Sequence, residues 1–137
     1  MIVTFVDAGV LIAAARGRAD VSARAMAILD DPERSFVSSD FVRLEVLPKA
    51  LFNRKPDEAE FYREFFRAVS HWPADTAAIV HRAYEIGVTF GLSALDALHI
   101  AAAISAGAEE FVTTEKSGKP LYRVTNIRVR SIQPEGR

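Results

Sequence analysis

Residues 93–114, S-A-L-D-A-L-H-I-A-A-A-I-S-A-G-A-E-E-F-V-T-T, read as a capped, alanine-rich helix that passes through Gly107 into a short strand. Ser93 is placed to cap the helix; Asp96, three residues on, completes a weak capping box and favours the positive end of the helix dipole. Leu95, Leu98 and Ala102 recur at helical spacing and are the expected core face. The small residues Ala97, Ala101, Ala102 and Ala103 let a neighbouring element come close. Gly107 is the expected C-cap, and Phe111, Val112 and Thr113 the buried strand that follows. A helix returning directly into such a strand is half of a parallel α/β unit, where ligands lie at the carboxyl ends of strands and the amino ends of helices. Asp96 would stand at that edge.

Outward from this stretch, Ile2 to Val6 is a β-branched and aromatic run, expected as a central strand buried on both faces and ended by Asp7. Val10, Leu11 and Ala13 to Ala15 make a short helix closed near Gly17, and a second helix is expected from Val21 or Ser22 to Leu29. Ser35 to Ser38 reads as a second strand. Ser39 or Asp40 caps a third helix with Phe41, Leu44, Pro48 and Phe52 as its apolar stripe, Glu45 at the stripe's edge, and Pro48 expected to kink or end it. Pro56 and Asp57 open a fourth helix with Phe61, Phe65 and Val69 inward, and Ser70 to Trp72 is a candidate third strand. Ala74 to Ile86 is the fifth helix, closed by Gly87. After Thr114 comes a polar turn, E-K-S-G-K-P; Ile127, Val129 and Ile132 then alternate with Arg128, Arg130 and Ser131, as in a half-exposed edge strand.

A chain of 137 residues, 50% of them hydrophobic, suits a single domain over residues 1–137 with a sizeable core. It shows no internal repeat, low-complexity tract or linker. The absence of cysteine removes disulfides and thiolate zinc chemistry, and suits a reducing compartment. The start M-I-V-T-F-V-D lacks the basic region of a signal peptide, and the uncharged runs are too short to span a bilayer, so a cytoplasmic, membrane-free location is expected. A formal charge of -1 gives no global attraction to nucleic acid, while a local basic rim remains open.

Four acids carry the chemistry. Each has an ordinary role alone: Asp7 as a helix cap, Asp96 as a capping-box partner, Glu45 as a surface charge paired with Lys49, Glu115 as a turn residue. Taken together they converge. Asp7 follows the first strand, Glu115 follows the strand Phe111 to Thr113, Asp96 lies in the first turn of the helix feeding that strand, and Glu45 can point to the same edge. Carboxylates gathered there would repel unless a cation compensated them, which implies a hard divalent ion, Mg²⁺ or Mn²⁺. Such an ion suits phosphate chemistry: it orients phosphate oxygens, generates hydroxide from water and stabilises an in-line displacement.

The elements V-D-A-G-V-L-I-A-A (Val6 to Ala14), S-S-D-F-V-R-L-E-V (Ser38 to Val46), L-S-A-L-D-A-L-H-I-A-A-A (Leu92 to Ala103) and F-V-T-T-E (Phe111 to Glu115) resemble the successive motifs of PIN domains. Their order, separation and the chain length are similar to those of small VapC-type toxins of type II toxin–antitoxin pairs. The resemblance implies a three-layer α/β/α domain with a short, mainly parallel central sheet of four or five strands. It also implies a Mg²⁺- or Mn²⁺-dependent endoribonuclease that cleaves structured RNA, such as tRNA or rRNA, through metal-activated water. Asp7, Glu45 and Asp96 match the family's core acids, and Glu115 matches the fourth, more usually aspartate. A homodimer and a cognate antitoxin, whose C-terminal segment lies in the active-site groove, are the implied partners. Two features depart from the pattern: Ala8 and Gly9 stand where small hydroxyl or amide residues usually follow the first acid, and Glu115 is one methylene longer than aspartate.

Around these acids, His99 is expected as a packed or hydrogen-bonded neighbour rather than a ligand. Thr113 and Thr114 are either partners of a metal-bound water or ordinary strand-end residues. Arg16, Arg18, Lys116 and Lys119 are candidates for holding RNA phosphates or else plain surface charge. Phe61, Phe65, Phe66 and Trp72 read as core or dimer contacts. A haloacid-dehalogenase-type phosphatase would need a second aspartate at position 9, which is Gly9, and no phosphate-cradling G-x-x-x-x-G-K-[ST] occurs. The alternative reading is a catalytically weak PIN-like module that binds RNA or protein.

Overall fold

The run Ile2–Val6 forms β1, whose last three residues are fully enclosed because a second strand pairs on each side. A computed structural model describes residues 1–17 and 19–134 of the chain. After β1 come α1 (Ala8–Arg16), α2 (Ala19–Leu29), β2 (Arg34–Val37), α3 (Asp40–Phe52), α4 (Pro56–Ala68), α5 (Thr76–Phe90), α6 (Ala94–Ser105), β3 (Glu110–Thr113), a 3-10 turn at Pro120–Arg123, and β4 (Arg128–Ser131). The four strands lie in the order β2-β1-β3-β4 and every pairing is parallel. This is the expected α/β architecture, a three-layer α/β/α domain on a four-stranded sheet. From β1 the chain crosses first to one neighbour, β2, and later to the other, β3, so the connections leave in opposite directions and a crevice opens at the strands' carboxyl ends. Asp7 begins there, its N–H donating to the Val112 carbonyl at 3.0 Å.

The sheet packs through stacked Phe5 and Phe111, with ring centroids 5.3 Å apart. At the opposite, amino end of the strands, buried Arg34 of β2 donates to Thr4 of β1 at 2.8 Å and to Glu110 of β3 at 2.7 Å. Arg128 and Arg130 of β4 approach the same carboxylate from the other side. One buried acid thus ties β2, β3 and β4 together.

Several expectations fail for identifiable reasons. In α6 the buried residues are Ala97, His99 and Ile100 to Ala103, so Ala102 of the expected face is in the core, while Leu95 is exposed and Leu98 half-buried; Ala97 stands close to Gly87 of α5, where small residues let the two helices approach. Ser93 makes no side-chain cap bond, and the turn is closed by the Ala97 N–H on the Ser93 carbonyl. In α3 the buried residues are Val42, Val46 and Ala50, whereas Leu44 and Phe52 of the expected stripe point to solvent. Pro48 does not end α3: the carbonyl it strands one turn back belongs to exposed Leu44, where water can satisfy it. α5 runs through Gly87 and stops at Gly91, which takes the left-handed conformation (φ 68°). Ser70 to Trp72 forms no strand, only an isolated parallel bridge from His71 to Val37. The remaining limits shift by a residue or two.

Candidate functional site

The site is built from the end of β1, the end of β3, and the inward edges of α3 and α6. Asp7 caps α1, its Oδ1 accepting from the Val10 N–H at 3.1 Å. Its Oδ2 accepts from the Thr113 hydroxyl at 2.5 Å, and that hydroxyl in turn accepts from the Glu115 N–H at 3.0 Å. Thr113 therefore links the first acid to the backbone of the fourth. Two strands that are neighbours in the sheet make this possible, since Val6 pairs with Val112.

Burial pushes the Asp7 carboxyl up to about 6, against the opposing pull of the Thr113 hydroxyl, the Val10 N–H and His99, with the negative Glu45 adding to the rise. Glu45 of α3 is held by His99 of α6, Oε1 against Nε2, so the expected pairing with Lys49 is not made. His99 is only 4% exposed and stands beside the Phe5 ring. Its Nδ1 has no partner among the described residues. A carboxylate only accepts, so Nε2 carries the hydrogen shared with Glu45.

Asp96 lies one turn before His99, half-buried, and forms no ion pair or side-chain hydrogen bond among the described residues. Glu115 is exposed; its carbonyl accepts from Tyr122 and Ser131 hydroxyls at 2.9 and 2.7 Å, which fixes its backbone and leaves the carboxylate free. Asp7, Glu45 and His99 are thus brought together, Asp96 stands on the same helix as His99, and Glu115 is tied to Asp7 through Thr113. The sequence leaves open the link made by Thr113 and the anchoring of Glu45 by His99; the spacing of Asp96 and His99 by one helical turn is the one signal it offers.

Among the described residues, no three histidine, aspartate or glutamate side chains stand close enough to enclose an ion. The donors nevertheless fit a hard divalent cation in kind. None of the four acids is paired with lysine or arginine among the described residues, and a carboxyl whose charge is disfavoured by burial is one that a cation would relieve. Of the basic candidates, Lys116 and Lys119 are exposed beside the β3 end, Arg16 faces Glu58 at 3.8 Å, and Arg18 lies outside the described residues. Of the aromatic candidates, Phe65, Phe66 and Trp72 form a chain that Phe36 extends, with Arg43 stacked 4.5 Å over Trp72, while Phe61 packs edge-on against Tyr62.

A PIN domain model matches residues 4–124. The chain belongs to the PIN domain family. Among solved structures, it is similar to VapBC2 from Rickettsia felis bound to a promoter DNA fragment (TM-score 0.70, 13% identity, 95% of this chain and 98% of that one). DNA-bound VapBC from Salmonella typhimurium aligns with TM-score 0.69 and 17% identity over 97% and 100% of the two chains. A toxin–antitoxin complex from Klebsiella pneumoniae aligns with TM-score 0.64 and 18% identity over 95% and 98%. At these identities the likeness is one of fold. No curated protein matches the chain.

Proposed function

We propose that this PIN domain is the toxin of a toxin–antitoxin pair, a Mg²⁺- or Mn²⁺-dependent endoribonuclease acting on structured RNA. The observation that carries the reading is the uncompensated acid Asp7 at the carboxyl end of β1, with Glu45 and His99 beside it in a PIN fold. Asp7, Asp96, Glu45 and Glu115 would hold the ion, which supplies Lewis-acid activation of water and charge neutralisation at the phosphate. Thr113 keeps the Asp7 carboxylate turned toward the crevice, His99 restrains Glu45, and Lys116 and Lys119 offer positive charge to RNA phosphates beside the cut.

The partners are a cognate antitoxin, in keeping with the complexes the fold resembles, and a second copy of the chain. Val80, Tyr84 and Val88 recur every fourth residue along α5 and are exposed, and with Leu92 and Leu98 they line an apolar groove. A solvent-facing apolar row of this kind marks an interaction face, and a single helix row is self-complementary about a twofold axis. No single described helix is long and apolar enough to cross a membrane; a cytoplasmic site of action is part of the proposal.

The test is titration of Mn²⁺ by calorimetry into the protein and into Asp96→Asn, together with cleavage of total RNA. Binding and cleavage in the first, both lost in a variant with unchanged circular dichroism, are expected. RNA or protein binding that ignores divalent ions, without cleavage, would replace this reading with the binding-module alternative, which the separation of the acids favours.

A further inference from the structure

Position 9 is bare for a reason visible in the site. A Cβ built on Gly9 would fall far inside contact distance of Thr114 Oγ1, and 3.3 Å from both Thr114 Cγ2 and Asp7 Oδ1. Gly9 has no need of a left-handed backbone, since it lies in the first turn of α1 and is not among the glycines with positive φ. Its lack of a side chain answers to space alone. The occupant of that space is a hydroxyl carried by half-buried Thr114, the residue just past β3; Asp7 Oδ1 borders the same space, and the two make no direct hydrogen bond among the described residues.

We propose that Thr114 is a positioning residue of the acidic site, its hydroxyl supplying from β3 the polar group beside Asp7 Oδ1 that a side chain at position 9 would supply from α1. The inference rests on the reading of Asp7 as a metal-binding acid. Oδ1 already accepts one bond, from the Val10 N–H, and retains a second lone pair. Thr114 restrains how that oxygen, and a water or substrate oxygen next to it, is presented. Hydrogen-bonding groups behind a ligand carboxylate commonly govern metal affinity by about 10- to 100-fold. Threonine is stiff about χ1, so a side chain at position 9 displaces the hydroxyl by turning Thr114 into another rotamer.

The experiment is a double-mutant cycle in the full chain: Gly9→Ser, Thr114→Ala, and the two combined, with Asp7→Asn as control. Mn²⁺ affinity by calorimetry, Tm in EDTA and RNA cleavage are read for each. Thr114→Ala is expected to weaken Mn²⁺ about tenfold with little change in Tm. Gly9→Ser should lower both, and the double variant, which moves the hydroxyl from β3 to α1, should recover both to within about threefold and a few degrees of the parent. Thr114→Ser should keep parental affinity. Unchanged affinity in Thr114→Ala, or additive losses in the double variant, would overturn the role of Thr114 while Asp7→Asn still loses the ion. Failure of the parent to bind Mn²⁺, or full binding by Asp7→Asn, would overturn the metal reading and this inference with it.

Discussion

At the scale of the residue, Asp7 is a helix cap and, in the proposed function, a metal-binding acid, and the burial that suits the cap opposes the charge the second role needs. Its carboxyl titrates near 6 in the folded chain and near 3.8 as an unperturbed aspartate, so the folded state binds the proton more tightly. In the metal-free protein this group's contribution to stability is greatest below about pH 4, falls as the pH rises from about 4 to 6, and is level above. The loss should be on the order of 1–3 kcal/mol, and Asp7→Asn should flatten the profile and raise Tm at pH 7.5. The amide can place its oxygen toward the Val10 N–H and its nitrogen toward the Thr113 hydroxyl, which accepts as well as donates. Thermal melts in EDTA between pH 4 and 8 check this. A saturating divalent ion should reverse the order of the two proteins at pH 7.5, since only the carboxylate gains from it.

Also at this scale, alanine at Asp7 or Asp96 should abolish RNA cleavage and leave circular dichroism unchanged. Retained metal-dependent cleavage would remove these acids from the mechanism. Asp7, Asp96 and Glu115 were legible in the sequence because they follow a strand or begin a helix, whereas Glu45, inside α3, was singled out only by its place at the edge of an apolar stripe and by the resemblance. Their partners were not: Thr113 and His99 act across 106 and 54 positions of chain, and no local spacing encodes such contacts.

At the scale of the element, the sheet is joined at its amino edge by charge rather than by apolar packing. Glu110 is buried and meets Arg34 at 2.7 Å. Removing it as Glu110→Ala leaves a buried guanidinium with only Thr4 and the partly exposed Asp31 for company, and should cost about 3–5 kcal/mol in a urea melt. Arg34→Met combined with Glu110→Ala should cost distinctly less than the sum of the single changes, because neither charge is then stranded. The helices were harder to read than the strands. The stripe Leu44, Pro48 and Phe52 has the spacing of a core face, yet α3 turns Val42, Val46 and Ala50 inward. Periodicity identifies a helix, but two apolar faces on one helix are separated only by what packs against each.

At the scale of the whole molecule, that second apolar face reappears on α5. Tyr84 is 74% and Val88 72% exposed, and together with Val80 they form a row that no described residue covers. If a second copy covers it, Tyr84→Glu and Val88→Glu should turn a dimer into a folded monomer in sedimentation velocity, without loss of helical signal. A parent that sediments as a monomer would exclude the dimer. The sequence hides this row for the same reason as in α3: apolar residues on two faces of one helix look alike until the element packed against each is known.

What the sequence by itself determined is the order of the elements other than Ser70 to Trp72, the parallel α/β class and the places of Asp7, Asp96 and Glu115 at strand ends and a helix start. These follow from local physics: β-branched runs make strands, caps and glycines bound helices, and a strand end is where a short helix begins. The tertiary structure alone decided which helix faces are inward, that Thr113 orients Asp7, that His99 holds Glu45, and that Gly9 is bare because Thr114 stands over it. Those are contacts between segments far apart in the chain, and they exist only once the sheet order β2-β1-β3-β4 has set the ends of β1 and β3 side by side.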